Sequence, residues 1–214
     1  MTFIRRLTVA ALPLLLAGCL GTAASQQQAA ARRRTFILEA APAAPLVPAP
    51  RFAAIKVRSC RALPPFDSRA FIVRRAAAET VEDYYNGWLA APQDLVRAQA
   101  GRRLEQTGLF EAVRDAYAAT RAPLALEITV SELCLDFSGD RPAAAVTLRY
   151  TVIDDRAPAF TALFSAERAG RAPFDADDPS APALAFGQAL SQALAALEQA
   201  LASASLPGQV QTPR

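Results

Sequence analysis

Residues 124–137 read LALEITVSELCLDF, and their pattern is the strongest indication of the fold in the chain. Its large apolar residues occupy even positions up to Val130 and odd positions from Leu133 onward. Alternation of apolar and polar residues is typical of a strand with one buried face. One extra residue reverses which face a strand presents. The change of phase therefore predicts a β-bulge near Ser131 and Glu132 that preserves a single apolar face.

Two further stretches repeat this alternation downstream. Apolar residues alternate over positions 146–152 and again from Phe160 to Phe164. Turn-forming residues separate the three stretches, at positions 138–140 and 154–158. Consecutive strands joined by short turns pair antiparallel, so residues 124–168 are predicted to form an antiparallel meander with one buried face.

Two helices are predicted outside the meander. Pro92 suits the first turn of a helix, and Gly108 suits the left-handed residue that ends one. The second helix has Ser180 as its predicted N-cap and an apolar stripe that repeats at spacings of three and four until Pro207. Such a stripe packs a helix on a sheet, although its near-heptad spacing also leaves open self-association as a homo-oligomer.

The first part of the folded region carries shorter strand signals. Strand-like runs occupy residues 35–39, 53–62, 71–73 and 81–85. The predicted fold is a single α+β domain over residues 35–206, with a mostly antiparallel sheet and two main helices packed on one face. Residues 207–214 are predicted to be a disordered C-terminal tail.

The first nineteen residues have the parts of a secretory signal peptide. Arg5 and Arg6 precede an uncharged run over residues 7–17, and Leu16-Ala17-Gly18-Cys19 follows at once. As a helix the run would rise only ~16 Å, too short for a hydrocarbon core of ~30 Å. The last four residues look like a bacterial lipobox. This predicts removal of residues 1–18 and attachment of diacylglycerol and an acyl chain to Cys19.

Residues 19–34 are predicted to be the lipid anchor and a flexible tether, because residues 21–31 are small and polar without apolar periodicity. Residue 20 is Leu and not Asp. By resemblance to the sorting rule of enteric bacteria, this favours the outer membrane over the inner one. The expected location is the cell envelope, on the outer membrane and facing the periplasm.

The composition excludes several classes of function. The 214 residues include no His, which removes Ser-His-Asp and Cys-His catalysis and His-ligated zinc. Loss of Arg5 and Arg6 with the signal peptide leaves 21 basic and 20 acidic side chains, so nucleic acid is not an expected partner. No phosphate-binding glycine motif occurs in the chain. We therefore expect no catalytic residue, no enzyme activity and no cofactor other than the covalent lipid.

The densest group of carboxylates is formed by Asp175, Asp177 and Asp178. It lacks the ligand spacing of the regular twelve-residue Ca²⁺ loop. Asp is also common where a helix begins, which gives these residues an ordinary structural role. No metal site is predicted.

Two cysteines remain once Cys19 is acylated. Cys60 and Cys134 both follow the strand phase that points away from the apolar residues. In an oxidising periplasm a disulfide between them would close a loop of about 75 residues and stabilise the fold by roughly 4 kcal/mol in the chain-entropy model. The sequence leaves this disulfide and two free thiols equally open.

Three aromatic residues precede the first helix, namely Tyr84, Tyr85 and Trp88. The sole Trp of a small domain usually packs in its core, which is the favoured interpretation. Exposure of the three side chains for contact with a lipid or a partner is the alternative.

Several of these segments form a wider pattern. They are Ile55-Lys56-Val57-Arg58, FDSRAFIVR at 66–74, Tyr84-Tyr85-Asn86-Gly87-Trp88, Gly108-Leu109-Phe110 and the long strand at 124–137. Together they resemble the ABC-type transport auxiliary lipoprotein family, which includes PqiC-like proteins. The resemblance covers about residues 35–200.

The resemblance implies an outer-membrane lipoprotein of the Gram-negative envelope. Such a protein works with an MCE-domain substrate-binding protein, an inner-membrane permease and a cytoplasmic ATPase to move lipid, and some members resemble ring-forming oligomers. Two alternatives stay open. One is a module that carries a single lipid in its own cavity, and the other is a structural lipoprotein of outer-membrane assembly.

Overall fold

The computed structural model describes residues 33–156 and 161–207. The strands are β1 (Arg34–Phe36), β2 (Phe52–Ala62), β3 (Ala70–Ala76), β4 (Glu79–Trp88), β5 (Phe110–Arg114), β6 (Leu124–Asp136), β7 (Ala143–Asp154) and β8 (Thr161–Pro173), and the helices are α1 (Pro92–Thr107) and α2 (Ala181–Ser203). The predicted signal peptide, Cys19, most of the predicted tether and residues 208–214 of the predicted tail lie outside the described residues. Within them, no helix is both long and apolar enough to cross a bilayer.

The strands of the described residues join one mixed sheet with β6 at its centre. On one side of β6, β7 pairs antiparallel along its whole length, and β8 pairs antiparallel with β7. On the other side, β2 pairs with the first half of β6 and β3 with its end, both parallel. β5 lies outside β2, whereas β4 and then β1 lie outside β3.

The predicted α+β domain and its antiparallel meander are confirmed. The sheet as a whole is mixed, because β1–β4, β2–β5, β2–β6 and β3–β6 are parallel pairs. Parallel neighbours are joined through long crossovers, so local alternation in the sequence carries no signal of their pairing. β5 was not predicted, because it is only five residues long and has no clear alternation.

Two bulges set which residues face the core. The register of β6 shifts between Val130 and Glu132, which confirms the predicted bulge. A second irregularity lies in β2 between Val57 and Ser59. It reverses the phase of the strand, so Ser59 is exposed and Cys60 packs against the core. The alternation predicted for residues 53–62, with Ser59 inside and Cys60 outside, is wrong for this reason.

Both helices pack on the same face of the sheet, around one main hydrophobic cluster. α1 contacts β2 and β5, and α2 contacts β7 and β8. The predicted limits of α1 are confirmed, since Pro92 begins it and Gly108 follows it with a φ of 70°. Ser180 precedes α2 as predicted but makes no capping hydrogen bond with its side chain.

The apolar stripe of α2 is used inside the domain. Its large side chains are buried in the main cluster: Phe186, Leu190, Leu194, Leu197 and Leu201. A buried stripe cannot serve a contact with a second chain as well. A homo-oligomer, which stays a prediction, would have to use another surface.

A buried ion pair connects the two helices. The Nε and Nη2 atoms of Arg103 on α1 donate hydrogen bonds to the two carboxylate oxygens of Glu198 on α2, at 2.6 and 2.8 Å. Both side chains are almost completely buried, with 6% and 5% exposed. Arg103 also donates to the backbone carbonyl of Ala41. The two residues are 95 positions apart in the chain, and no local pattern in the sequence predicts their contact.

Candidate functional site

The three aromatic residues before α1 divide into a buried residue and an exposed pair. Trp88 is only 2% exposed. Its ring lies 4.5 Å from that of Phe71 and 5.0 Å from that of Phe186, measured between centroids. The favoured interpretation of Trp88 as a core residue is therefore correct, and contact of Trp88 with a partner or lipid is excluded by its burial.

Tyr84 and Tyr85 lie on the surface. Their side chains are 79% and 51% exposed, and the two rings meet edge to face at 5.2 Å. Neighbouring residues of a regular strand point to opposite faces, but this pair lies where the strand is distorted. Of the three aromatic residues considered for contact with a lipid or a partner, only Tyr84 and Tyr85 are therefore exposed.

The distortion is a large bulge in β4. Ala70 pairs with Gly87 and Ile72 pairs with Glu82, so one residue of β3 faces the four residues 83–86 of β4. The Asp83 carboxylate holds the bulge, because it accepts hydrogen bonds from the backbone N–H of Tyr85 at 2.8 Å and from the side-chain amide of Asn86 at 2.8 Å. Bulges of this kind re-aim side chains and are common beside functional sites.

The bulge lies on a strand edge that is only partly covered. On the outer side of β4, β1 pairs with residues 86–88 alone. Within the described residues, positions 79–85 have no strand partner on that side. An uncovered edge offers backbone N–H and C=O groups to a strand of another chain. The Tyr84–Tyr85 pair and this edge form the candidate site, which we call the β4 edge.

A shallow groove of about 690 Å³ lies between the segment around β1 and the start of α2. The segment after β1 forms one wall, including Ile37 and Glu39, and the first turns of α2 form the other, including Leu184 and Gly187. The exposed apolar residues here carry no distinctive signal in the sequence, because Ile37 follows a strand and Leu184 lies within a helix of many apolar residues. Only the tertiary structure brings them together.

The two cysteines of the domain are free. Cys60 is in register with Ile128 of β6, whereas Cys134 lies six residues farther along that strand, a separation of roughly 20 Å. A disulfide needs Cα atoms within about 7 Å. The bridge that the sequence left open is therefore excluded within one chain. Cys134 points away from the main cluster, as its strand phase predicted, and is completely buried in a small second cluster with Ile72 and Ala145.

The structure predicts two unreactive but unpaired thiols. Burial raises the pKa of Cys60 and of Cys134 to about 12, so neither forms the reactive thiolate at neutral pH. Native protein should take up almost no maleimide at pH 7.5, and protein unfolded without reductant should take up two labels by mass spectrometry. A third label would show that Cys19 is not acylated. Unfolded protein that takes up no label until it is reduced would show that Cys60 and Cys134 form a disulfide after all.

A charged cluster occupies the open face of the sheet beside Cys134. Arg74 donates to Glu132 at 2.6 Å, and Arg171 donates to Asp136 at 2.7 Å. Burial by itself raises the pKa of the Asp136 carboxyl. Hydrogen bonds from Ser138 and Arg171 outweigh burial and hold this pKa well below its ordinary value of 3.8.

This cluster should make stability depend on acid pH. Because the folded pKa of Asp136 is depressed, its contribution is present above its ordinary pKa and is lost as pH falls below it. In Asp136→Asn the urea midpoint should therefore fall less between pH 7 and pH 3 than it does in the wild type. Chemical denaturation followed by circular dichroism measures both midpoints. An equal fall in the two proteins would contradict this role.

The acidic residues before α2 stabilise turns by accepting backbone hydrogen bonds. Asp175 accepts the backbone N–H of Asp177 at 3.0 Å, and Asp178 accepts that of Ser180 at 2.8 Å. Among the described residues, no three His, Cys, Asp or Glu side chains form a group that would hold a metal ion. These carboxylates fit the structural role that Asp often has at a helix entry.

Two solved structures share this fold, and a third is less similar. Protein XCC0632 from Xanthomonas campestris, of the DUF330 family, is 24% identical, with a TM-score of 0.61 over 77% of this chain and 90% of that one. A second solved structure, of an uncharacterised protein, is 11% identical, with a TM-score of 0.57 over 76% of this chain and 99% of that one. Lipoprotein GNA1162 from Neisseria meningitidis is 15% identical, with a TM-score of 0.37 over 71% of this chain and 99% of that one. No family model and no curated protein matches the sequence.

Proposed function

We propose that this protein is a non-catalytic lipoprotein of the Gram-negative envelope and an auxiliary component of an ABC transport system of the MCE type that moves lipid. Diacylglycerol and an acyl chain on Cys19 hold it on the outer membrane, facing the periplasm. Its partners are an MCE-domain protein with an inner-membrane permease and an ATPase. The lipobox, the family resemblance over residues 35–200 and a fold shared with a DUF330 protein support this proposal.

The observation that carries the proposal is the β4 edge. Tyr84 and Tyr85 are both exposed at the bulge in β4. They lie beside a strand edge that pairs with no other strand among the described residues. Exposed Tyr side chains often supply much of the binding energy of a protein interface. An anchored domain that presents such an edge is suited to docking on a larger assembly.

The interior of the domain favours docking over carriage of a lipid in a cavity. The space between the sheet and the helices is filled by buried side chains, including the rings of Phe52, Phe71, Tyr150 and Phe186. A lipid would have to displace this core. Each CH₂ of an acyl chain costs ~0.8 kcal/mol when it is exposed to water, so a transported lipid needs a walled path, which the partner supplies.

Affinity capture from detergent-solubilised envelopes tests the proposal. Tagged wild-type protein should retain the MCE-domain protein and the permease, identified by mass spectrometry. Tyr84→Ala combined with Tyr85→Ala should reduce the captured amount more than tenfold, because two interface anchors are lost. The fold should be unaffected, since both side chains are exposed.

Tyr117→Ala is the matched control. Tyr117 is 85% exposed and follows β5, at the opposite side of the sheet from β4. The Tyr117→Ala variant should capture as much MCE-domain protein and permease as the wild type. Equal capture by the double variant would overturn the assignment of the β4 edge, and failure of the wild type to retain any MCE-domain protein would overturn the proposed function itself.

A further inference from the structure

Three exposed aliphatic side chains form one patch at an end of the domain. Ile37, Leu89 and Leu184 are 53%, 53% and 66% exposed. Ile37 and Leu89 directly follow the parallel strands β1 and β4, and the backbone N–H of Leu89 donates to the carbonyl of Phe36 at 2.8 Å. Ile37 and Leu184 line the same groove. We call these three residues the apolar end patch.

The chain enters the folded domain beside this patch. Arg34 begins β1 and lies three residues, or ~10 Å, before Ile37. Its guanidinium lies over the Phe36 ring, 5.0 Å from the centroid, and donates to the carbonyl of Pro179 at 2.7 Å. A positive charge is thereby held between β1 and the start of α2, next to the apolar side chains.

The position of this entry relative to Cys19 restricts which surface can reach the membrane. Cys19 precedes Arg34 by fifteen residues. A flexible linker of that length has a root-mean-square extension of roughly 20 Å. If residues 20–33 form the predicted flexible tether, an anchor at Cys19 would on average hold the surface around Arg34 nearer the bilayer than the far end of the domain.

We propose that the apolar end patch rests on the lipid surface, with Ile37, Leu89 and Leu184 among the outer acyl segments and Arg34 at the level of the phosphate groups. This inference depends on acylation of Cys19 in the proposed function. Exposed apolar side chains beside a cationic one also occur where peripheral proteins rest on a bilayer.

The β4 edge leads away from the patch. Glu79, the first residue of β4, is exposed and lies roughly 20 Å from the patch. Charge does not set the orientation, because Glu39 lines the groove of the patch and the exposed Asp177 and Asp178 precede α2. With the patch on the bilayer, the β4 edge would extend from the membrane into the periplasm.

Fluorescence quenching in vesicles tests the orientation. The full acylated chain carrying Leu184→Cys or Leu89→Cys is labelled with a fluorescent maleimide and reconstituted into vesicles of phosphatidylethanolamine and phosphatidylglycerol. Cys60 is half-buried and Cys134 is buried, and burial raises both pKa values to about 12, so the introduced thiol is the reactive one. Lipids with a nitroxide high on the acyl chain should quench either label by at least half.

Labels at Glu79→Cys and Tyr117→Cys are the controls. Both residues are exposed, and β5, which precedes Tyr117, runs antiparallel to β4 and so ends far from the patch. Their quenching should be less than a tenth. Quenching at the controls that equals that at position 184, or a shielded label at 184 without quenching, would overturn the lipid contact. The second result would mean that a protein covers the patch.

Mass spectrometry of the same samples separates the two proposals. An unacylated Cys19 would overturn the proposed function and this inference with it. An acylated chain with no quenching at positions 89 and 184 would overturn the orientation alone and leave the proposed function standing.

Discussion

Glu198→Ala should lower the free energy of unfolding by about 3–5 kcal/mol, because it leaves a buried guanidinium without its counter-charge. The two oxygens of Glu198 accept both hydrogen bonds that Arg103 directs at α2, and neither side chain is more than 6% exposed. A typical domain has only ~5–15 kcal/mol of stability in total. Urea denaturation followed by circular dichroism should show a much lower midpoint or a domain that does not fold.

Glu167→Ala provides the matched control for this effect. Glu167 accepts from Arg149 at 3.0 Å, but the two side chains are 48% and 58% exposed. Exposed pairs contribute only about 0–1 kcal/mol, so the urea midpoint should barely move. If Glu167→Ala and Glu198→Ala destabilise the domain equally, burial does not determine the strength of these pairs.

A second variant keeps the prediction testable when the single change prevents folding. Arg103→Met combined with Glu198→Leu removes both charges and fills a similar volume. Replacement of a complete buried ion pair by apolar side chains is often neutral or stabilising. The double variant should therefore regain most of the stability that Glu198→Ala loses. A double variant as unstable as the single one would contradict the explanation by an unpaired charge.

Gly170→Ala should destabilise the domain by roughly 3 kcal/mol or more, because no side chain fits between β8 and α2 at this point. A Cβ on Gly170 would lie 1.9 Å from the backbone carbonyl oxygen of Ala189. The obstacle is helix backbone, which cannot move aside as a side chain can. α2 would have to separate from the sheet and expose part of the main hydrophobic cluster. Thermal and urea unfolding both measure the loss.

Gly101→Ala is the control with the opposite expected sign. Gly101 lies within α1, and a Cβ there would meet Val57 at a comfortable 4.0 Å. Ala is favoured over Gly inside a helix by up to about 1 kcal/mol. The variant should unfold at a slightly higher temperature than the wild type. Destabilisation by both substitutions to the same degree would show that close backbone approach is not the cause at Gly170.

The patterns that predicted the fold correctly all involve neighbours in the chain. The phase change between Val130 and Leu133 located a real bulge, and Pro92 and Gly108 marked the two ends of α1. The shift in β2 between Val57 and Ser59 produced no comparable break in the pattern, because Ser59 and Cys60 are both small. The predicted orientation of Cys60 was wrong as a result, whereas Cys134 does point away from the main cluster and lies in the small second one.

The candidate site was only partly visible in the sequence. Tyr84, Tyr85 and Trp88 formed one aromatic group, but the bulge at residues 83–86 exposes the first two while Trp88 enters the core beside Phe71. That division depends on the pairing of β4 with β3, which a local pattern does not specify. The Ile37, Leu89 and Leu184 side chains come from three separate segments and could not be grouped beforehand.

The α+β class, the antiparallel meander and the limits of α1 were predictable from sequence, because each depends on the chemistry of a few consecutive residues. Acylation of Cys19 is predicted on the same kind of local evidence. Tertiary structure alone decided the parallel half of the sheet, the Arg103–Glu198 pair, the separation of the two thiols and the uncovered β4 edge. These features join residues far apart in the chain. Their free energy comes from packing and desolvation between segments, and such contacts leave no periodic signal in either segment alone.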